Sequence, residues 1–181
     1  MVFRIIFIGD PACGKSSIIR RYCENEFSSS YSPSLSIERY ERIKICSLSN
    51  GIQIPVSLQL WDTSSIWHPD IIKQYFAGMH CVVIVFDAGM GSAESLKKWH
   101  QLLENFVKEM NVARPMVCIV GNNYGTKKCS PEIVSIIGDL TKNPYLEVNA
   151  KTGVGINNLF SEIAYALIKE YPQLVNKNNI L

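Results

Sequence analysis

The sequence predicts an α/β fold in three layers: a six-stranded, mostly parallel sheet with one antiparallel edge strand and helices on both faces. Three observations lead there. Short apolar runs that read as buried strands alternate along the chain with stretches of helical spacing. Two strand-like segments, 37–48 and 52–60, flank Ser49-Asn50-Gly51, and Asn-Gly is a strong hairpin signal. The first strand runs directly into Gly9-Asp10-Pro11-Ala12-Cys13-Gly14-Lys15-Ser16, a G-x-x-x-x-G-K-S stretch that opens a helix.

Each element has a local cause. Residues 2–8 are rich in β-branched and aromatic side chains and read as a buried strand. A helix follows from Lys15 to about Glu24. Residues 25–34 are polar and serine-rich, and Pro33 opposes helix, so this is a long loop. After the hairpin, Trp61-Asp62-Thr63 closes the second strand, 64–69 is a loop and 70–76 a short helix. Residues 81–86 form a continuous apolar run, as a central parallel strand requires. Gly89-Met90-Gly91 breaks it, and Ser92 is placed to cap the next helix. That helix carries Leu96, Trp99, Leu102, Leu103, Phe106 and Met110 on its apolar face. Residues 116–120 form another buried strand, and 121–125 a turn-forming loop. Ser130 and Pro131 stand where a helix cap and a first helical proline belong, opening a helix to about Leu140. Residues 145–148 are a short strand and 149–153 a loop. Ile156, Leu159, Phe160, Ile163, Leu167 and Ile168 mark a last amphipathic helix limited by Pro172, with a polar tail at 173–181 expected to fray.

The composition excludes several classes. The chain has 181 residues, enough for one domain with a full core. Its net charge of +2, from 18 basic and 16 acidic residues, gives no electrostatic case for nucleic acid. None of the six cysteines forms a C-x-x-C pair, so free thiols in a reducing compartment are expected rather than disulfides or zinc. No apolar run approaches a membrane span, and the chain opens on a core strand rather than a signal peptide. Direct membrane insertion is therefore not expected, and a cytoplasmic protein is. His68, His80 and His100 show no metal-ligand or nucleophile spacing.

The chemistry lies in residues 9–16. Glycines let the backbone curl so that successive N–H groups point inward as an anion nest. The helix N-terminus adds unpaired donors and partial positive charge. Lys15 reaches the outer phosphates, and the Ser16 hydroxyl is a ligand for Mg²⁺. In a sheet of this kind ligands bind at the carboxyl ends of the strands, where loops 9–16, 62–69, 121–126 and 149–153 converge.

With these pieces in place, the chain resembles the Ras superfamily of small GTPases and, within it, the Rab group. The likeness runs from residue 3 to about 171. It is carried by the phosphate loop, by Trp61-Asp62-Thr63 as the W-D-T of the second switch, by Tyr75-Phe76-Ala77-Gly78-Met79 as the Y-Y-R-G-A segment, and by Asn149-Ala150-Lys151 as the S-A-K loop. It implies a GTPase domain over 1–172 and a tail over 173–181. GTP or GDP and Mg²⁺ are the implied ligands. Gly9, Asp10, Pro11, Ala12, Cys13, Gly14, Lys15, Ser16, Ser17, Phe27, Tyr31, Ser34, Asn122, Asn149, Ala150 and Lys151 would hold the nucleotide. Ser16, Ser34 and Asp62 would serve the metal, Asp62 through a water. Phe27 would flank the base, Tyr31 would lie over the phosphates, and Ser34 stands at the first-switch threonine. Effector or regulatory proteins would meet residues 28–40 and 62–77, with Tyr40, Trp61 and Trp67 as aromatic contacts. Vesicle or intracellular transport, with peripheral membrane attachment through partners, is the role the resemblance suggests.

Three departures qualify it. The second switch reads D-T-S-S-I-W rather than D-T-A-G-Q-E, so Ser65 replaces a glycine and Ile66 the glutamine that orients the attacking water. No catalytic residue is intact, Pro11 replaces a further glycine, and slow hydrolysis is expected. N-K-x-D appears as Asn122-Asn123-Tyr124-Gly125, which lacks the carboxylate that reads guanine. Charge-assisted hydrogen bonds are worth about 1.5–3 kcal/mol each, so losing a bidentate pair weakens GTP by roughly two or more powers of ten. The last cysteine is Cys129 and the sequence ends Asn-Asn-Ile-Leu, so either the family's prenylated tail lies outside this sequence or the protein does not anchor this way. Two readings follow: a divergent Rab-like switch, or a pseudo-GTPase scaffold with altered or absent nucleotide binding.

Overall fold

The computed structural model describes residues 1–30, 36–48, 50–63, 69–125, 129–143 and 145–176, with the side chains of 69, 70, 175 and 176 left out. The chain runs β1 (Val2–Gly9), α1 (Lys15–Cys23), β2 (Glu38–Ser47), β3 (Gln53–Asp62), α2 (Pro69–Lys73), β4 (Cys81–Asp87), α3 (Ala93–Met110), β5 (Met116–Asn122), α4 (Pro131–Leu140), β6 (Leu146–Val148), α5 (Ile156–Glu170) and α6 (Pro172–Asn176). The sheet order is β2-β3-β1-β4-β5-β6. Only the β2–β3 pair is antiparallel, so the six-stranded sheet with one antiparallel edge strand is as expected.

Side-chain periodicity assigns the two faces. On β1, Phe3, Ile5 and Phe7 join one core cluster with residues of α1 and α5, while Ile6 and Ile8 join the other with residues of α2, α3 and α4. β4 is buried through six consecutive residues because helices cover both its faces. β3 alternates, with Ile54, Val56, Leu58 and Leu60 buried. Under α1, the Tyr22 and Phe160 rings stack at 3.7 Å, and the Arg42 guanidinium lies 4.5 Å from the Tyr22 ring centre on its other side. Such an aromatic pair adds about 0.5–1.5 kcal/mol beyond the area it buries.

The helix ends follow the expected chemistry. The Ser92 side chain accepts from Ser95 N at 3.1 Å, and that of Ser130 from Ile133 N at 3.3 Å with Pro131 first in the helix. β4 stops because the Asp87 carboxylate accepts from Gly89 N and Met90 N at 2.8 and 3.0 Å, a turn that leaves the ladder.

The structure departs from expectation at four places. Gly121 and Asn122, read as loop, extend β5, because Asp87 and Val148 on the flanking strands continue the ladder beside Asn122. The second helix is shorter than 70–76, ending at Lys73. Met110 is 57% exposed rather than part of the apolar face, whose last residues on the core are Phe106 and Val107. Of the tail expected to fray at 173–181, residues 173–176 belong to a helix begun at Pro172, since proline begins a helix as readily as it ends one, and Leu174 packs on the core; 177–181 lie outside the described residues. All six cysteines are free thiols, five of them buried.

Candidate functional site

The phosphate loop is shaped by three left-handed backbone positions within six residues: Gly9 at φ 145°, Ala12 at φ 60° and Gly14 at φ 97°. At Gly9 a side chain is impossible, since a Cβ would sit 2.1 Å from the Val85 carbonyl oxygen. Ala12 carries its Cβ in a conformation that costs about 1–2 kcal/mol. Reversals of this kind turn successive N–H groups to one side, the geometry of an anion nest. α1 begins directly after, with no side chain capping its N-terminus and no acidic residue in its first turn. Its leading N–H groups and partial positive charge therefore face the loop.

Lys15 is 4% exposed, and its ammonium donates to Gly9 O at 3.0 Å and Asp10 O at 2.9 Å across the mouth of the loop. Cys13 is turned into the core, where burial pushes its thiol pKa up against the pull of Lys15. Ser16 and Ser17 form the first turn of α1, both half-buried. Asp10 is held from outside: Ser95 Oγ donates to one carboxylate oxygen and Trp99 Nε1 to the other at 2.9 Å. Pro11 is exposed.

Asp62 ends β3 beside Phe7 on β1. Its side chain is fully buried, and among the described residues neither carboxylate oxygen meets a hydrogen-bond donor in good geometry. Burial raises its pKa; the Ser16 hydroxyl and the Lys15 ammonium nearby act in the opposite direction without cancelling it. A buried carboxylate without a partner is costly. A divalent cation shared with Ser16 would satisfy it, so these residues fit the Mg²⁺ that the sequence implies. The next residue is satisfied within the protein: Thr63 Oγ1 donates to Phe7 O at 2.6 Å.

This gives a pH prediction. A raised pKa means that the metal-free fold gains from Asp62 below its ordinary value of 3.8 and loses that contribution as pH rises through the raised value. Asp62→Asn is expected to flatten this part of the stability–pH profile and to remove the Mg²⁺-dependent rise in melting temperature of nucleotide-loaded protein. Melting curves at several pH values with and without Mg²⁺ check it. A Mg²⁺-dependent rise that survives in Asp62→Asn contradicts the metal assignment.

Asn122, the last residue of β5, is fully buried and joins two loops. Its Nδ2 donates to Cys13 O at 3.1 Å, and its Oδ1 accepts from Ala150 N at 3.2 Å. The 149–151 loop closes on itself through Thr152 N to Asn149 Oδ1 at 2.9 Å. Arg21 then clamps the loop to α1, donating to Ala150 O at 3.0 Å and Lys151 O at 2.9 Å, while Lys151 is exposed. Arg21 also reaches Asn25 O at 2.8 Å, just before Phe27, which is half-buried. Asn123 faces β6: its Nδ2 donates to Glu147 at 3.2 Å, and its Oδ1 accepts from Gly125 N at 3.0 Å.

Among the described residues, 9–17, Asp62, Asn122 and 149–151 lie together at the carboxyl ends of the strands, with Phe27 packed against the adjoining core. Tyr31, Ser34, Ser65, Ile66, Trp67 and His68 lie outside the described residues. Of the aromatic residues expected at partner surfaces, Tyr40 and Trp61 fall among the described residues. Tyr40 is half-buried and donates to Glu38 at 2.6 Å while accepting from Arg20 at 3.1 Å. Trp61 packs against the core under α2 and α3. Sequence reasoning missed Arg21, Ser95 and the polar edge of Trp99 as supports of the site. Only the Arg21–Asn25 spacing offered a local signal.

Residues 4–169 match the Ras family. Among curated proteins the chain is similar to Ras-related protein RABD1 of Arabidopsis thaliana, 25% identical over 98% of this chain and 84% of the relative. It is also similar to Ras-related protein Rab-1C of Dictyostelium discoideum, 29% identical over 96% and 84% of the two chains. Ras-related protein Rab-32C of the same organism is 27% identical over 93% and 74%.

Proposed function

This chain belongs to the Ras family, and we propose that it is a Rab-like switch that binds guanine nucleotide with Mg²⁺, reads the base weakly and turns GTP over slowly. The observation that carries the reading is the buried Asp62 carboxylate at the end of β3, which among the described residues has Ser16 and Lys15 nearby but no well-formed hydrogen bond. An apolar residue would serve the core better there unless a cation is bound.

In this reading the N–H groups of Asp10 and residues 12–16, Pro11 having none, and the Lys15 ammonium hold the β- and γ-phosphates. Ser16 and Ser34, with Asp62 through a water, would hold Mg²⁺, which would neutralise phosphate charge. Tyr31 and Ser34 close over the phosphates, and Phe27, Asn122, Asn149, Ala150 and Lys151 frame the base. Ile66 offers no hydrogen bond to a water, and Ser65 adds a Cβ where backbone approaches the γ-phosphate, so intrinsic hydrolysis is slow. A partner can supply the missing groups in trans. Residues 28–40 and 62–77 report the bound state to effector or regulatory proteins, with Ile71 and Tyr75 exposed on the second segment. The setting is vesicle or intracellular transport in the cytoplasm, peripheral to membranes through partners. Among the described residues no helix is long and apolar enough to cross a membrane.

Base recognition supplies the test. Asn123→Lys with Gly125→Asp restores a carboxylate and an aliphatic stem to the base loop, and nothing lies within 4 Å of a Cβ at Gly125. The double variant is expected to bind GTP at least about tenfold more tightly, with ATP unchanged, because each charge-assisted bond regained is worth about 1.5–3 kcal/mol. Equal gains for GTP and ATP, or none, contradict guanine seated in this pocket. The scaffold reading then gains, as Gly125 already favours it.

A further inference from the structure

The space beside Asn122, where the proposed function seats a base, is taken by a side chain that no motif assigns. The Tyr124 hydroxyl lies 2.4 Å from where a Cβ on Gly14 would stand, and the Asn122 amide nitrogen lies 2.0 Å from the same point. Hydroxyl and amide therefore sit side by side over the loop that leads into α1. On its other side the Tyr124 ring stands 6.3 Å from the Phe27 ring, inclined at 47°.

A flat base sandwiched between two rings needs them parallel and about 7 Å apart, since each aromatic contact takes about 3.5 Å. Rings at 6.3 Å and 47° leave no such slot. The neighbours do not compete for the place. The Asn123 side chain is engaged by Glu147 and Gly125 N, and Gly125 has no side chain. The Ala150 N–H, on the far side of the pocket, is already bonded to Asn122 Oδ1. Tyr124 itself is 38% exposed, and exposed side chains change rotamer readily.

We infer that Tyr124 is the protein's own occupant of the base pocket, a plug that stands between Phe27 and Gly14 and must swing out before a nucleoside base can enter. This rests on the phosphate-site reading above and deepens it. The ligand is then a Mg²⁺-bound di- or triphosphate recognised chiefly through its phosphate chain, and the nucleoside adds little until the plug opens. A pocket closed about nine-tenths of the time weakens base-dependent binding about tenfold, because apparent affinity scales with the open fraction.

The test is calorimetric titration of the full chain, stripped of nucleotide, with Mg²⁺ and pyrophosphate, GDP or ADP. Three proteins are compared: wild type, Tyr124→Ala and Tyr124→Phe. Wild type is expected to bind GDP within about tenfold of pyrophosphate. Tyr124→Ala is expected to tighten GDP about tenfold and leave pyrophosphate unchanged, which also reports an intact fold. Tyr124→Phe keeps the ring and is expected to behave as wild type. Weaker GDP binding in Tyr124→Ala, with pyrophosphate unchanged, overturns the plug and makes Tyr124 a stacking platform for the base. So does wild-type GDP binding more than about 100-fold tighter than pyrophosphate. Failure of all three proteins to bind pyrophosphate overturns the phosphate-site reading itself, and the plug with it.

Discussion

Gly9→Ala is expected to destabilise the protein by about 4 kcal/mol or more, a loss that few single methyl groups cause. Two costs add. Alanine at φ 145° leaves the conformations open to it, at about 1–3 kcal/mol. Its Cβ would also stand 2.1 Å from the Val85 carbonyl oxygen, which belongs to the β1–β4 ladder at Gly9↔Val85. Backbone in the middle of a sheet cannot step aside as a side chain can, so the strands must part. A domain of this size has about 5–15 kcal/mol in all, and the variant is expected to be largely unfolded at 37 °C. Gly138→Ala is the matched control. It lies within α4 with open space around its Cβ position, and gains about 0.5–1 kcal/mol from helix propensity. Urea titration of both variants checks the pair. A Gly9→Ala loss below about 1 kcal/mol contradicts the backbone described for the loop.

Lys15→Ala is expected to weaken Mg²⁺-dependent pyrophosphate and GDP binding by about 100-fold or more. The ammonium is buried and already holds two carbonyl oxygens of the loop, so it is positioned without ordering a flexible chain at the moment of binding. Moving to phosphate oxygens, it makes charge-assisted bonds worth about 1.5–3 kcal/mol each, and two of these correspond to roughly 100-fold or more. The substitution also leaves the Gly9 and Asp10 carbonyls without their donor, costing about 1–3 kcal/mol of stability. Titration and urea denaturation are therefore run on the same sample. Binding within about threefold of wild type rules out the loop as the phosphate site.

What could be read from the sequence was local. A glycine-rich turn, Ser92 and Ser130 as caps, Asn-Gly between strands and the uninterrupted apolar run at 81–86 each act over a few residues, so pattern alone located them. Gly121-Asn122 misled for the same reason. Glycine and asparagine favour turns, but pairing with β4 and β6 keeps them in strand, and pairing is a property of the fold. The supports of the site were out of reach of local reasoning. Trp99 meets Asp10 across 89 residues, Ser95 across 85, and Arg21 meets Ala150 and Lys151 across 129 and 130. Trp99 reads from sequence as an apolar helix residue, and its body is one; only the fold shows that its N–H points at the phosphate loop. Tyr124 is similar. Its place between Phe27 and Gly14 depends on how 25–27, 14 and 122–125 meet in space.

The most direct test of the account is to denature freshly purified protein, identify the released nucleotide by chromatography and mass, and follow its identity with time after loading with GTP and Mg²⁺. The account predicts a nucleotide in the extract, held chiefly through its phosphates and more weakly than a complete base loop would hold it, and GTP that after loading persists for hours before appearing as GDP. An extract without nucleotide, from a protein that neither GDP, GTP nor pyrophosphate stabilises with Mg²⁺, would contradict it and leave the fold as a scaffold.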